Sequence, residues 1–272
     1  MLVLPAGPSV ALGSVLTASL QACLDDNPDW REGIESGTPL GRIAGADEVA
    51  ATVQFLASDA AGFLTGQVVA VDGGRSLADV VRAVQGSGVA VNVSLSCAFG
   101  CPMEGDVAVQ GVLDWCERYV TELGAHGVTL CDTTGMAYPS QVAELTRAFR
   151  AHWPGTELTL HFHNTRGMGL ANVLAAIDAG ADRFDASFGG IGGCPYAPGA
   201  SGNVCTEEIV HALALMGYDT GVDLPRLIAA AGALPALIGH DVPSQILKAG
   251  RRLDLHPRPA DFDEIAARAA SR

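Results

Sequence analysis

Cys194 stands in the run Gly189-Gly190-Ile191-Gly192-Gly193-Cys194-Pro195-Tyr196-Ala197-Pro198-Gly199-Ala200-Ser201-Gly202-Asn203, with six glycines around it. Glycine costs ordering entropy, so this density reads as a loop that moves or lets a ligand approach the backbone. Upstream, Leu160-His161-Phe162-His163-Asn164 places two histidines at strand spacing. Alternate residues of a strand share a face, so both imidazoles can grip one metal ion. A mobile thiol and a paired-histidine site are the parts of a metal-assisted enzyme. Each feature also has a plainer reading: histidines on an apolar strand often take hydrogen-bond partners, and a glycine-rich segment can be an ordinary connector.

These residues must be positioned by regular elements. Strands are expected at 89–96, 128–131, 158–163 and 183–187, and helices at 107–123, 139–152, 170–179, 206–216 and 224–237. Pro139 suits a first helical turn, and Thr206 or Asn203 stands near the cap of the helix that follows it. A strand and a helix about every 30 residues signals parallel βα units. Chemistry in such folds gathers at the carboxyl ends of strands, where His161, His163 and Asp132 all fall. The plainer reading of Asp132 is a cap for the next helix, and that of Glu207 is an acid favouring a helix start through the dipole.

The text changes near Gly73-Gly74-Arg75-Ser76. Before it, 47–58 reads as an amphipathic helix and 66–72 as a buried strand, while nothing before residue 36 has a clear period. About half of the 272 residues are apolar, enough for a large core. The net charge of −14 argues against a nucleic-acid surface. Seven cysteines at irregular spacing read as reduced thiols of a cytoplasmic protein, with Cys97, Cys101, Cys116, Cys131 and Cys205 as small core residues. No stretch is apolar enough for a signal peptide or a membrane span.

From about Leu77 to Pro257 the chain resembles the 3-hydroxy-3-methylglutaryl-CoA lyases, metal-dependent TIM-barrel enzymes related to pyruvate carboxyltransferases. The resemblance lies in Ser96-Cys97-Ala98-Phe99-Gly100-Cys101-Pro102-Met103-Glu104-Gly105, Cys131-Asp132-Thr133-Thr134-Gly135, His161-Phe162-His163-Asn164-Thr165-Arg166-Gly167 and the cysteine loop running into Asn203 and Thr206-Glu207. It implies that His161, His163 and Asn203 are metal ligands for Mg or Mn. It makes Cys194 the catalytic thiol, with Asp132 and Glu207 as catalytic-site residues that orient ligands and polar groups. The implied substrate is an acyl-CoA, hydroxymethylglutaryl-CoA, cleaved to acetyl-CoA and acetoacetate. Arg166, Lys248, Arg251 and Arg252 could meet CoA phosphates, and surface solubility explains them equally.

Residues from about Glu35 to Gly74 resemble instead the C-terminal end of short-chain dehydrogenases, through Thr38-Pro39-Leu40-Gly41-Arg42-Ile43 and Phe63-Leu64-Thr65-Gly66-Gln67-Val68-Val69-Ala70-Val71-Asp72-Gly73-Gly74. That family's cofactor glycines and Tyr-x-x-x-Lys pair are not present, so no oxidoreductase site transfers. The lyases' first three βα units, with an Asp-Arg-Glu start that supplies a metal-binding Asp and a catalytic Arg, are also missing.

The expected fold is α/β: a partial TIM barrel of about the last five βα units, preceded by a short dehydrogenase-like helix and strand. The expected division is 1–75 for the dehydrogenase-like fragment, 76–257 for the partial barrel and 258–272 for a tail. The strand ending near Val71 is a candidate cover for one edge of the open sheet, and open edges predict homo-oligomerisation. Three functions compete: the lyase itself, an inactive metal-binding or assembly module derived from it, and an oxidoreductase fragment.

Overall fold

The computed structural model describes residues 9–56, 58, 68–193, 199 and 201–271. The chain divides into two compact units, Met1–Val93 with Gln110–Val128 and Ser94–Val109 with Thr129–Arg272.

The first unit begins with β1 (Ser9–Leu12), β2 (Val15–Leu16), α1 (Ala18–Asp26) and α2 (Asp29–Ser36). Only Leu24 of α1 is buried, and no residue of α2, which is why this stretch shows no apolar period. The Thr17 hydroxyl accepts from Leu20 N at 3.2 Å and caps α1. β3 (Ala44–Gly45), α3 (Ala46–Leu56), β4 (Val68–Val71) and α4 (Arg75–Ala83) follow. β4 realises the strand expected at 66–72, but it does not cover an edge of the larger sheet. Its partner is β1, in parallel, with Ser9 opposite Val68 and Leu12 opposite Val71. β2 and β3 form a second parallel pair.

β5 (Asn92–Leu95), α5 (Val109–Cys116), β6 (Gly127–Asp132), α6 (Pro139–His152), β7 (Glu157–Phe162), α7 (Gly169–Asp178), β8 (Arg183–Asp185) and α8 (Thr206–Leu215) carry the βα rhythm. The sheet order is β5-β6-β7-β8. Four consecutive strands, each trailed by a helix, make the latter part of a (β/α)8 barrel that is not closed. β4 and α4 precede them as a fifth βα unit, whose strand lies in the other sheet.

Two expected helices are interrupted. After α5, residues Glu117–Glu122 form a π-helical turn, with Leu123 N donating to Arg118 O at 3.0 Å. The helix expected at 224–237 is α9 (Leu224–Ala231) and α10 (Leu234–Ile238), because Pro235 brings no N–H to continue the ladder. α11 (Gln245–Ala249) and α12 (Phe262–Ala270) complete the chain, and α12 buries nothing.

The core of the second unit explains the placement of its polar groups. Leu158, Leu160 and Phe162 on β7 are fully buried, and Phe162 lies 5.8 Å from Phe99 between ring centroids. Strand alternation therefore turns Thr159 and His161 to the other face. On α6, buried Val142, Leu145, Thr146 and Phe149 keep the helical period. The Arg150 guanidinium donates to Gly180 O, Thr156 O and Asp182, tying α6 to the turns ahead of β7 and β8. Among the described residues no helix is long and apolar enough to cross a membrane.

Candidate metal centre

The expected histidine pair shares one face. His161 is the last residue but one of β7 and His163 lies just beyond the strand, their ring centroids 5.1 Å apart. The segment after the cysteine loop then runs back along the end of β7. Asn164 N donates to Gly202 O at 2.9 Å, and Val204 N to Phe162 O at 3.0 Å. The result is an antiparallel bridge between His163 and Asn203. Ser187, past the end of β8, bridges Cys205 in parallel. One segment thus joins the ends of β7 and β8, and it brings Asn203 to the histidines.

Thr206 stands next to the cap of α8, which is Cys205, without a side-chain bond; Asn203 lies two residues before that cap. The Asn203 amide nitrogen donates to Ser187 Oγ at 3.0 Å, Ile191 O at 2.9 Å and Gly192 O at 3.4 Å. Three acceptors around the nitrogen fix which end of the amide is oxygen. That oxygen, Oδ1, is buried with no partner, and so is Nδ1 of His163. Buried polar atoms are normally satisfied, so two orphans across one bridge fit a missing electrophile. Burial, then the neighbouring His161, hold His163 below the usual imidazole range, with Asp185 opposing them. A neutral imidazole is the form that ligates. Among the described residues no three His, Cys, Asp or Glu side chains are grouped to hold an ion. The Asn203 oxygen is the atom here that could join the pair as a third protein ligand to a cation, a mixed N/O set suited to Mg or Mn.

The other expected residues have different surroundings. Asp132, at the end of β6, is buried, and its Oδ1 accepts from Met136 N at 2.7 Å and Ala137 N at 3.0 Å. These bonds tie down the loop after β6; they do not cap α6, whose cap is Tyr138. Oδ2 of Asp132 is buried and unpartnered. Burial holds this carboxyl above the usual carboxylate range, against the bonds from Ala137 and Met136 and the charges of Arg166 and His161. Glu207 is fully buried, and both of its oxygens accept from Gly189 N, at 3.0 and 3.2 Å. It clamps the first foot of the glycine loop.

Cys194 lies outside the described residues. The loop's two feet are described, and there glycine serves close approach. A side chain at Gly202 (φ 107°) would meet Gly190 O at 2.0 Å, and one at Gly190 (φ 71°) would meet Cys205 Sγ at 2.5 Å. Of the cysteines expected in the core, Cys116 and Cys205 are buried, whereas Cys97, Cys101 and Cys131 are only half-buried. Cys97 departs most: its φ of 56° is left-handed, and its N–H donates to Thr133 Oγ1 at 2.9 Å. Burial pushes the Cys131 thiol up to about 12, with Asp185, Cys97 and Asp132 adding to it. Arg166 donates to the carbonyls of Thr134 and Gly135, and Arg251 pairs with Asp254 at 2.8 Å.

Asp185 and Ser187 escaped the sequence reading. His161 Nδ1 and Asp185 Oδ1 are 2.6 Å apart, and the two residues are register partners on β7 and β8. Their signal was the spacing of two polar residues on an expected strand.

The strands define a (β/α) barrel portion, with His161, His163 and Asn203 grouped at its strand ends. Comparison with known proteins agrees: the family model described as HMGL-like matches residues 45–233, and the chain belongs to that family. A second model, described as Enoyl-(Acyl carrier protein) reductase, matches residues 9–76. Among curated relatives, (R)-citramalyl-CoA lyase of Chloroflexus aurantiacus is 45% identical over 167 residues, 61% of this chain and 52% of the relative. Hydroxymethylglutaryl-CoA lyase YngG of Bacillus subtilis is 41% identical over 172 residues, 63% and 57% of the two chains. The chain spans about half the length of these relatives. An HMG-CoA lyase structure from Acinetobacter baumannii, in complex with coenzyme A and 3-methylmalate, superposes with a TM-score of 0.65 at 37% identity, covering 93% of this chain and 87% of that one.

Proposed function

We propose that the second unit carries the metal site of a carbon–carbon lyase acting on a 3-hydroxyacyl-CoA thioester, with hydroxymethylglutaryl-CoA as the substrate. The observation that carries this reading is the pair of buried, unpartnered atoms, His163 Nδ1 and Asn203 Oδ1, on the two residues of one backbone bridge, with His161 beside His163. His161, His163 and Asn203 would hold Mg or Mn. Bound there, the ion supplies Lewis-acid activation of the substrate hydroxyl.

The chain's own groups account for the proton movements. Asp132 Oδ2, buried and unpartnered, is available to take the hydroxyl proton as the C–C bond breaks. Cys194, on its glycine loop, would give a proton to the carbon of the departing acetyl-CoA carbanion, and loop closure would exclude water. Glu207 holds the loop's first foot through Gly189. Residues 1–75 would contribute a reductase-like fragment and no site of their own.

One observation supports another reading. The 45% identity to a citramalyl-CoA lyase favours a shorter tertiary 3-hydroxy thioester at the same site. Purified chain should be assayed with Mn or Mg against both thioesters, following acetyl-CoA release. Release from hydroxymethylglutaryl-CoA, lost in Cys194→Ala, is the expected result. Turnover of citramalyl-CoA alone would move the substrate assignment. Metal binding by folded protein with no release from either would establish the inactive module.

A further inference from the structure

β8 sorts its residues by alternation. Phe184 and Ala186 line a cavity of about 500 Å³, together with Ile177, Val210 and Leu213. Asp185 and, beyond the strand end, Ser187 point the opposite way, and each meets one side chain of the candidate metal centre. Asp185 lies opposite His161 in the β7–β8 register, so the 2.6 Å contact follows from the strand pairing and needs no loop to make it. Ser187 is held on both sides, its N–H donating to Val204 O at 3.2 Å and its carbonyl accepting from Thr206 N at 3.0 Å. Its hydroxyl is thereby fixed 3.0 Å from the Asn203 amide nitrogen.

We infer that β8 is the positioning strand of this site: Asp185 sets the tautomer of His161, and Ser187 sets the amide orientation of Asn203. The inference rests on the metal-site reading above and goes beyond it by naming what aims two of the ligands. An ionised carboxylate can only accept, so Nδ1 of His161 carries the hydrogen and Nε2 carries the lone pair a cation needs. Ser187 acts in the same sense on Asn203. By drawing the NH2 end to itself, it leaves Oδ1 buried and without a hydrogen-bond partner. Ile191 O and Gly192 O share that task, so Ser187 carries the smaller part. The Asp185 side chain is 54% exposed, so its pairing with His161 contributes little to folding. Orientation is what remains for it to do.

The test uses the full chain labelled with ¹⁵N-histidine, without metal, and titration of the same proteins with Mn²⁺. In the unaltered chain, long-range ¹H–¹⁵N spectra should show His161 in the Nδ1–H form. Asp185→Ala should move it to the Nε2–H form or a mixture, with an unchanged melting temperature and Mn²⁺ affinity about 10–100-fold weaker. Asp185→Asn keeps an acceptor oxygen and should restore the tautomer and most of the affinity. Ser187→Ala should leave the His161 tautomer alone and weaken Mn²⁺ by less than Asp185→Ala does. An unchanged tautomer together with unchanged Mn²⁺ affinity in Asp185→Ala would overturn the inference while leaving the metal site standing. An unaltered chain that binds no Mn²⁺ would overturn the metal-site reading itself.

Discussion

The two units place their charged groups differently. In the first, the ion pairs are exposed or half-buried: Arg31–Glu35, Arg42–Glu48 and Arg82–Asp79, on helices and turns around two-stranded sheets. In the second, Asp132, His163 and Glu207 are buried. The difference follows from the sheets. A four-stranded sheet with fully buried Leu130, Leu158, Leu160 and Phe162 has depth enough to enclose polar groups at its strand ends, whereas the sheets of the first unit are two-stranded. Burial makes a polar group expensive unless it is bonded, and it also makes the group's chemistry differ from that in water.

The largest test of this contrast is packing. Phe162→Ala should cost about 3–5 kcal/mol in urea denaturation, since its ring is fully buried against Phe99. Leu24→Ala, removing the one buried side chain of α1, should fall near the low end of the range for such truncations, about 2 kcal/mol. Equal losses at the two positions would break the comparison. Next comes Glu207→Ala, which leaves the Gly189 N–H without its acceptor. It should cost about 1–3 kcal/mol. It should also speed backbone hydrogen exchange at Gly189 and Gly190, read by NMR. Unchanged exchange there would mean that Glu207 does not clamp the loop.

The sequence was legible where chemistry and periodicity are local. His161 and His163 share a face because strands alternate, and the βα rhythm of residues 92–215 follows the apolar runs that became β5 to α8. It was not legible where the partner is distant. β1 needs β4, 59 positions along in register, and neither α1 nor α2 buries enough to show a period. Asp185 looks like a surface acid until β7 is laid beside it. Glu207 looks like a helix-start acid until Gly189, 18 residues earlier, is seen to donate to it. Cys97 was read as a small core residue because composition carries no sign of a left-handed φ.

Asp132 gives a smaller effect with a definite sign. Its folded carboxyl sits above its ordinary value of 3.8, chiefly through burial, so the folded state holds the proton more tightly than the unfolded one. The associated stability is fully present below the unfolded value and is lost as pH rises through the folded one. The unaltered chain should therefore gain stability relative to Asp132→Asn as pH falls from 7 towards 4, measured as the difference in urea midpoint at each pH. A flat difference, or one of opposite slope, would mean that Asp132 is not desolvated as its burial implies.

The smallest effect belongs to the first unit, and its sign is the reverse. Glu48 takes both Arg42 nitrogens at 2.7 Å and the Gly45 N–H at 2.8 Å. The Arg42 guanidinium, then the Gly45 N–H, lower its carboxyl to about 2. Its contribution is present above the ordinary carboxylate range and is lost as pH falls from about 4.5 towards about 2. Both partners are well exposed, so salt should screen the pair, and Glu48→Gln should barely move the midpoint at neutral pH. Opposite pH slopes for Asp132 and Glu48 in one chain would tie the contrast between the units to burial itself. A Glu48 slope that survives high salt would show that the first unit shields its charges after all.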